Sequence, residues 1–470
     1  MAAGRSLNGG ALGRREAIAV LVFAAMALLA GLTAAPASGA PGDLRFASCI
    51  EDPTGGECNR DFDGLDGVGS LALSPDGRDL YAVSFRRTAA PVGGDSALVH
   101  LRRNKRTGRL RPVSCTQDAD DVPGGPTCPN TLELLDGPID VVVSPNGRHV
   151  YVLAYLESAL LHFKRNRRSG RLTYVRCLDD AGLAPIYDVC PGGVDGMGSP
   201  NDMELSRDGR SLYVTSSIDD SIVSFRVNRK SGRLRPLGCL EDADRTLFDD
   251  CPDPGIEGLA SPSGLVVHPN GRTVYVAAFD DDAVTWFRRN KRTGKLRFAG
   301  CLKNRGTASD DDCAERASGI PDAGSVGISP DGRFVYVGAT NDGAMAEFRV
   351  RKDGSLKYKR CVEVPFSPEP CATVAQRLGR SADFAFDPRG RAMFVAGGQG
   401  IQPFRRNPRT GELTELPCID DDEATSTATA CQRTSRNLLG TQALLLSPDG
   451  RFLYAAATTD DAISVFRHRR

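Results

Sequence analysis

The sequence predicts an all-β fold: a seven-bladed β-propeller with four-stranded antiparallel blades, its ring closed by an N-terminal strand that completes the last blade. Three observations predict this fold. A marker of the form Ser-Pro-Asp-Gly-Arg, or a near variant, recurs seven times, with its glycine at positions 77, 147, 209, 271, 332, 390 and 450. Strand-like segments flank every marker, and the two ends of the repeat array complete each other.

The repeat around position 271 shows the order of the elements. A short apolar strand at 265–267 precedes the marker, whose Pro and Gly favour a tight turn. A second strand at 273–278 is rich in β-branched residues, and an Asp-rich turn at 280–282 leads to a third strand. A turn of the form Asn-x-x-Thr-Gly then leads to a fourth strand that ends at Cys301. Each repeat is therefore predicted to be one four-stranded antiparallel meander.

The last repeat ends at Arg470, directly after its third strand. Residues 43–49 (Asp-Leu-Arg-Phe-Ala-Ser-Cys) nearly repeat the fourth strand at 295–301 (Lys-Leu-Arg-Phe-Ala-Gly-Cys), but no strands precede them. We therefore predict that they supply the missing strand, which leaves no open sheet edge between the first and last blades. A linear β-solenoid is the alternative architecture, and it would not require this match.

Residues 1–40 are predicted to be a signal peptide, followed by a single propeller domain at 41–470. Three arginines precede an apolar run at 17–32, and small residues suited to cleavage follow it. The pair Arg14-Arg15 leaves the general and twin-arginine export routes both open, and an uncleaved N-terminal anchor is a further alternative. We expect a secreted, extracellular or cell-surface protein with no transmembrane span after cleavage. The formal net charge of zero argues against a nucleic-acid partner, and we expect a monomer.

The fourteen cysteines follow the repeat, two to each blade. The first of each pair ends a fourth strand, and the second lies 9 to 13 residues later in the loop toward the next blade. The predicted disulfides join Cys49 with Cys58, Cys115 with Cys128, Cys177 with Cys190, Cys239 with Cys251, Cys301 with Cys313, Cys361 with Cys371 and Cys418 with Cys431. Seven local disulfides suit an oxidising compartment. Metal binding is the alternative, but the sequence has no Cys-x-x-Cys pair to support it.

The strands before the markers alternate between large apolar residues and small or polar ones. The polar set contains four carboxylates, Asp140, Asp202, Glu204 and Asp383, which the alternation directs toward the ring axis. Because carboxylates crowded at an axis repel one another, we predict that these four residues bind a cation or a cationic ligand. Calcium at Asp202 and Glu204 is the simplest such cation, although the sequence requires no cofactor. The alternative is that they line a water-filled channel.

Meander geometry sorts the loops onto two faces. The marker face collects the marker turns and the turns between third and fourth strands, which are rich in arginine. The disulfide face collects the Asp-rich turns and the cysteine loops. The two faces are therefore predicted to carry opposite charge, with ordinary solvated turns as the alternative.

The candidates for catalysis are Glu204 and His268. His268 takes the place of the marker serine, where it could act in catalysis or make one hydrogen bond within the turn. His100 and His162 occupy equivalent third-strand positions whose counterparts vary between blades, so we expect both at a solvated position. The chain has no Gly-x-Ser-x-Gly elbow, Walker loop or zinc-ligand helix.

Two stretches resemble the seven-bladed lactonase family, which includes bacterial 6-phosphogluconolactonases and carboxymuconate cyclases. They are Ser-Pro-Asp-Gly-Arg-Phe-Val-Tyr-Val at 329–337 and Asp-Asp-Ser-Ile-Val-Ser-Phe-Arg-Val-Asn-Arg-Lys-Ser-Gly-Arg-Leu at 219–234. The resemblance extends over all seven repeats and implies the propeller fold. The family's enzymes place His and Arg around the channel mouth, often in a Gly-Pro-His entry to an inner strand. Here Ile139, Asn201 and Ser263 stand where that His is expected.

Two functions follow as hypotheses. The first is a binding or scaffold module at the cell surface, whose acidic channel mouth holds a small molecule, a cation or a cell-envelope ligand. The second, which the family resemblance implies, is a hydrolase that opens an extracellular lactone, with Glu204 or a neighbouring Asp as general base. Ring opening on a panel of lactones separates the two.

Overall fold

The computed structural model of the chain describes residues 41–53, 57–85, 95–119, 128–181, 190, 192–243, 251, 256–307, 313–365, 371, 373–379, 382–423, 431 and 433–470. The segment predicted to be a signal peptide lies outside the described residues, so that assignment stays a prediction. The described ranges contain strands and turns but no helix, and hence no helix with the length and apolar character to cross a membrane.

Seven β-sheets repeat one antiparallel order of four strands, numbered here from the axis outward, in blades 1 to 7. The first strands are Val68–Leu73, Pro138–Val143, Pro200–Leu205, Pro262–Val267, Ala323–Ile328, Phe384–Phe386 and Thr441–Leu446. The second strands are Asp79–Ser84, His149–Ala154, Ser211–Ser216, Thr273–Ala278, Phe334–Ala339, Ala392–Ala396 and Phe452–Ala457. The third strands are Ala97–Arg103, Ala159–Arg165, Ser221–Val227, Ala283–Arg289, Ala344–Val350, Gly400–Arg406 and Ala462–His468.

The fourth strands lie outermost in this order. They are Leu110–Gln117, Leu172–Asp180, Leu234–Glu241, Leu296–Asn304 and Leu356–Glu363 in blades 1 to 5, the two pieces Leu413–Glu415 and Ile419–Asp421 in blade 6, and Leu44–Glu51 in blade 7. The last of these pairs with Ala462–His468 from Leu44 opposite His468 to Glu51 opposite Ala462. The predicted closure of the ring by the N-terminal strand is confirmed.

Five blades carry a further short strand that the four-stranded prediction did not include. These strands pair in parallel with the fourth strand, in the loop toward the next blade: Asn130–Thr131, Gly193–Val194, Glu315–Ala317, Thr373–Val374 and Arg433–Ser435. The meander thus continues by one short strand before the chain passes to the next blade.

The cysteine loops are closed as the sequence predicts. All seven predicted disulfides are formed, with Cα–Cα distances of 5.1 to 5.5 Å, and no described cysteine is free. The bonds join Cys49 with Cys58, Cys115 with Cys128, Cys177 with Cys190, Cys239 with Cys251, Cys301 with Cys313, Cys361 with Cys371 and Cys418 with Cys431. Each bond links the fourth strand to the loop that leaves it, so the pairing is local in every blade.

The marker sequence builds its turn from side chains within the turn. In blade 5 the Ser329 hydroxyl donates to the Asp331 carboxylate at 2.6 Å and accepts the Phe334 N–H at 3.1 Å. Gly332 has a φ of 70°, which a residue with a side chain adopts only with strain. Ser, Asp and Gly of the marker therefore each have a defined part in the turn that joins the first strand to the second.

The hydrophobic core lies between neighbouring blades rather than within one sheet. The large apolar parity of the first strands is buried there, as predicted: Val141 and Met203 are each 2% exposed. On the marker face, the Tyr213 hydroxyl donates to the carbonyl of Gly294 in the next blade at 2.7 Å and accepts Arg289 Nε at 2.7 Å. We call this arrangement the Arg–Tyr clamp. It recurs between Tyr81 and Arg165, between Tyr336 and Arg406, and between Tyr454 and Arg103.

The expectation that His100 and His162 are solvated is wrong. Each is 2% exposed and stacks on a second-strand tyrosine, with ring centroids 5.0 Å apart for Tyr81 and His100 and 5.1 Å apart for Tyr151 and His162. The third-strand side chain at this position faces the adjacent blade, so its identity varies with the surface against which it packs.

Candidate functional site

The seven first strands surround the axis of the ring, each in contact with the first strand of the blade on either side. One position in each strand directs its side chain toward the next first strand. We call these positions the first axial layer: Ser70, Asp140, Asp202, Gly264, Ser325, Asp383 and Ala443. The positions two residues later form the second axial layer: Ala72, Val142, Glu204, Val266, Gly327, Ala385 and Leu445. Glu204 is thus the one ionisable residue in a layer of apolar residues.

A β-bulge precedes the first axial layer in six blades. The register with the second strand shifts there, for example between Pro200 and Asp202. The bulge positions are Gly69, Ile139, Asn201, Ser263, Gly324 and Gln442. Bulges re-aim side chains and often lie next to active sites. These positions include those where the family's His is expected, and they carry neither His nor Arg.

Each axial carboxylate accepts a backbone N–H from the first strand of the next blade. Asp140 accepts from Met203 at 3.1 Å, Asp202 from Leu265 at 2.7 Å and Asp383 from Leu444 at 2.8 Å. Glu204 accepts the N–H of Val267 in the same way. The carboxylates therefore tie neighbouring blades together, a role that the sequence did not reveal because it depends on the alignment of one repeat against the next.

The four carboxylates differ in how many of their oxygens these bonds occupy. Asp140 uses both, because Oδ1 also accepts from the Ser70 hydroxyl at 2.7 Å and from Val141 N–H. Asp383 also uses both, accepting from Phe384 and Leu444. Asp202 and Glu204 each use one oxygen, Oδ2 and Oε2, and no hydrogen bond from a described residue reaches Asp202 Oδ1 or Glu204 Oε1. These two oxygens are the ones available to a ligand.

Burial dominates the electrostatics of the axis. The four side chains retain some solvent-accessible surface, but they lie deep inside the ring with protein on every side. Desolvation raises the pKa of Asp140 and of Asp383 to about 6 and that of Glu204 to about 8. Desolvation also raises the pKa of Asp202 well above its usual range, and repulsion from Asp140, Glu204 and Asp383 adds to the shift.

These pKa values give the axis a mixed protonation state at neutral pH. Asp140 and Asp383 are mostly ionised and Glu204 is mostly protonated. The charge of Asp383 in blade 6 also acts on Asp202 in blade 3, so the two carboxylates are within electrostatic range of each other. The sequence-based prediction that the four residues share one site is consistent with this electrostatic interaction, while their binding of a ligand stays a prediction.

The nearest cationic influence on Glu204 comes from the marker face. Arg207 occupies the marker position that is proline in the other six repeats, and its charge lowers the pKa of Glu204 against the larger effect of burial. Among the described residues, no three His, Cys, Asp or Glu side chains are grouped so that they could hold a metal ion. Calcium at Asp202 and Glu204 therefore stays a prediction.

His268 is engaged in its own marker turn. Its Nδ1 accepts the Asn270 N–H at 3.0 Å, and its Nε2 lies 2.9 Å from the carbonyl of Gly332 in the next blade. The ring is 8% exposed, and burial lowers its pKa. Both ring nitrogens of His268 thus have hydrogen-bonding partners, and a catalytic role for His268 stays a prediction.

Comparison with known proteins identifies relatives of this arrangement. The sequence profile of the family described as lactonase, 7-bladed beta-propeller matches residues 129–303 and 300–428. The 6-phosphogluconolactonase of Klebsiella pneumoniae strain 342 is 23% identical over 257 residues, which cover 48% of this chain and 71% of that protein. The corresponding protein of Pectobacterium carotovorum strain PC1 is 24% identical over 327 residues, covering 61% of this chain and 86% of its own length.

Solved structures share the fold at lower identity. The periplasmic gluconolactonase of Pseudomonas aeruginosa aligns with a TM-score of 0.52 and 21% identity, over 81% of this chain and 92% of that one. Hydrazine synthase of Kuenenia stuttgartiensis aligns with a TM-score of 0.51 and 14% identity, over 88% and 98%. Proteins named for different chemistries thus share this architecture, and the likeness shows the fold alone.

Proposed function

Because the chain belongs to the lactonase family of seven-bladed β-propellers, we propose that it is a hydrolase that opens a lactone at the axial carboxylates. The observation that carries the proposal is the pair Asp202 and Glu204. Both side chains project from the same side of one strand, two residues apart, and each has an oxygen free of hydrogen bonds from described residues. Both also have a raised pKa, as an acid–base pair working near neutral pH requires.

The chemistry needs one proton acceptor and one proton donor. Water attacks the carbonyl carbon, the ring C–O bond breaks, and the ring oxygen leaves as an alcohol that takes up a proton. With one proton shared by Asp202 and Glu204, the ionised member of the pair accepts the proton of the attacking water and the protonated member donates to the departing oxygen. The oxygens of Asp140 and Asp383 are already occupied by hydrogen bonds, which include those that join the first strands of neighbouring blades. These two carboxylates therefore take no part in proton transfer, and their negative charge keeps the site anionic.

The charge of the axis restricts the substrate. The Asp140 and Asp383 carboxylates are mostly ionised at neutral pH, and the described bulge positions provide no Arg or His to pair with a phosphate. A neutral or cationic lactone therefore suits the site better than the phosphorylated lactone for which the curated relatives are named. Seven disulfides are consistent with an extracellular location, and the signal peptide and secretion belong to the proposal on that basis.

Hydrolysis of glucono-1,5-lactone and of its 6-phosphate at pH 7, followed by pH-stat titration, tests the proposal. We expect turnover of the neutral lactone and a loss of about 10²–10⁴-fold in the double variant Asp202→Asn with Glu204→Gln. Glu133→Gln is the control, because Glu133 is an exposed carboxylate away from the first strands. Equal turnover in the double variant, or no turnover of any lactone in a broad panel, would overturn the hydrolase.

One observation favours a second function, cation binding by a surface module. Asp140, Glu204 and Asp383 lie close enough to Asp202 to repel its charge, and among the described residues no salt bridge joins these four carboxylates to a Lys or Arg. Calorimetric titration with Ca²⁺ tests this function separately. Uptake of Ca²⁺ that the same double variant abolishes, without turnover of any lactone, would favour the binding module over the enzyme.

A further inference from the structure

A groove along blade 3 runs from its marker turn to the cysteine loop of blade 2 and has a volume of about 910 Å³. Blade 3 contributes arginines to it from its marker turn, its third strand, the turn that follows and its fourth strand. They are Arg210, Arg226, Arg229, Arg233 and Arg235. Blade 2 adds Arg176 and blade 4 adds Arg292, so seven guanidinium groups line one cavity.

The charge of Arg210 acts on Asp208 in the same marker turn, but no carboxylate lies in the lining of the groove itself. The lining contains neither Asp nor Glu, and none of the seven arginines forms a salt bridge with a described residue. All except Arg176 are exposed. Arg226 and Arg235 stand directly opposite each other in the ladder between the third and fourth strands, an arrangement in which like charges destabilise the sheet. The groove therefore retains charge that opposes folding.

The corresponding groove along blade 4 shows that basic turns alone do not produce such a cluster. It encloses about 550 Å³ and also contains arginines and lysines, but Asp353 is part of its lining. One of its arginines, Arg351, pairs with Glu315 at 2.9 Å. The blade 3 groove is distinct in that its described lining has no acidic partner.

We propose that the blade 3 groove binds an anion that carries several phosphate groups in series. Guanidinium groups match the oxygens of phosphate in two-point hydrogen bonds, and arginine predominates where such recognition occurs. The volume exceeds what one phosphate ion fills, and the arginines come from three successive blades, so the site spans more than one anionic group. This site is separate from the axial carboxylates, and the proposal does not depend on the lactonase reaction.

Calorimetric titration of the full chain with sodium tripolyphosphate tests the proposal. We expect one binding site per chain and weaker binding of inorganic phosphate. The affinity for tripolyphosphate should fall as NaCl is raised from 50 to 500 mM, because the added salt screens the charges of the arginines. The triple variant Arg210→Ala, Arg226→Ala, Arg235→Ala should bind at least 10-fold more weakly. If a glycerol phosphate oligomer binds at the same site, the ligand is a polymer that carries phosphate groups. If tripolyphosphate binds and the oligomer does not, the ligand is free polyphosphate.

The matched control removes the same three charges one blade away. Arg272, Arg288 and Arg297 occupy the equivalent marker, third-strand and fourth-strand positions, with Arg288 opposite Arg297. The triple variant Arg272→Ala, Arg288→Ala, Arg297→Ala should bind tripolyphosphate within about 2-fold of the parent, and melting curves establish that both variants fold. No binding by the parent, equal loss in both variants, or preferential binding of duplex DNA would overturn the proposal.

Discussion

Several carboxylates on the two faces of the ring have pKa values shifted in opposite directions. On the marker face, burial is outweighed by the Ser74 hydroxyl and a backbone N–H, and the pKa of Asp76 is lowered. The same holds for Asp208 and Asp449. On the disulfide face, burial and a neighbouring carboxylate raise the pKa of Asp95 and of Asp460 to about 7.

The difference follows from how each face is held together. Marker turns are nearly uniform, and Arg–Tyr clamps connect the blades there. A marker carboxylate bonds within its own turn and also lies near the clamp arginine of the next blade, as Asp208 does to Arg289 at 3.4 Å. The loops of the disulfide face vary, and their carboxylates accept backbone N–H groups at the entry to a strand, as Asp242 does from Leu259 and Asp421 from Leu438, both at 2.8 Å. The acidity that suggests a binding surface in the sequence is therefore in part the means by which irregular loops satisfy their backbone.

The largest loss of stability should come from removing the N-terminal strand, which completes blade 7 on both faces of the ring. Deletion of residues 41–49, with Cys58→Ser to avoid a free thiol, leaves the outer edge of the strand Ala462–His468 unpaired in blade 7 and removes one disulfide. We expect a loss of stability of about 5 kcal/mol or more, a large part of what a domain possesses, measured by urea denaturation. An unchanged midpoint would contradict closure by this strand.

Removing one disulfide should affect the disulfide face alone. The double variant Cys301→Ala with Cys313→Ala frees a loop closed over 12 residues, which should lower the free energy of unfolding by about 3 kcal/mol. Hydrogen exchange should rise in the loop around Glu315–Ala317 and stay unchanged in the marker turns. Equal changes on both faces would show that the faces do not respond independently.

The Arg–Tyr clamp gives the matching test on the marker face. Tyr213→Phe leaves Arg289 Nε without its partner and should cost about 2 kcal/mol, because the lost bond involves a buried charge. Tyr151→Phe removes only a donor to the Gly232 carbonyl, since blade 3 has Val227 where the clamp arginine stands, and should cost about 1 kcal/mol. Equal shifts of the urea unfolding midpoint in the two variants would show that the bond to Arg289 adds nothing to stability.

The smallest effect is a pH dependence from the disulfide face. The raised pKa values of Asp95 and Asp460 mean that the folded state holds protons that the unfolded state releases between about pH 4 and 7. Their contribution to stability is complete below pH 4 and is lost as pH rises through 7. In the double variant Asp95→Asn with Asp460→Asn, we expect the free energy of unfolding to decline by about 1 kcal/mol less between pH 5.5 and 7.5 than in the parent. This is less than the full pKa shifts would give, because both groups are partly exposed. The lowered marker-face carboxylates act in the opposite direction, at lower pH.

The sequence repeat made the fold predictable. Positions where one repeat differs from the others indicated only part of the candidate site. Seven copies of one pattern fixed the strand order, the closure and the disulfide pairs. Asp202 and Glu204 stood out as two carboxylates on one strand, and the counterparts of Glu204 in the other blades are all small or apolar. Their bonds to Leu265 and Val267, the clamp between Arg289 and Tyr213, and the blade 3 groove were not predictable, because each depends on the offset between adjacent blades. His100 was wrongly expected to be solvated for the same reason. The alternation along one strand does not show that the adjacent blade covers this side chain.

Closure by the N-terminal strand also has a consequence for the order in which the protein is made. Leu44 leaves the ribosome more than 400 residues before His468, the residue opposite it in the completed sheet. Blades 1 to 6 can each pair their own strands as they emerge, but the seventh waits for both ends of the domain. A chain interrupted before Ala462–His468 leaves the N-terminal strand without its partner and open to aggregation or proteolysis. The seventh blade can therefore form only after its third strand, Ala462–His468, has been synthesised.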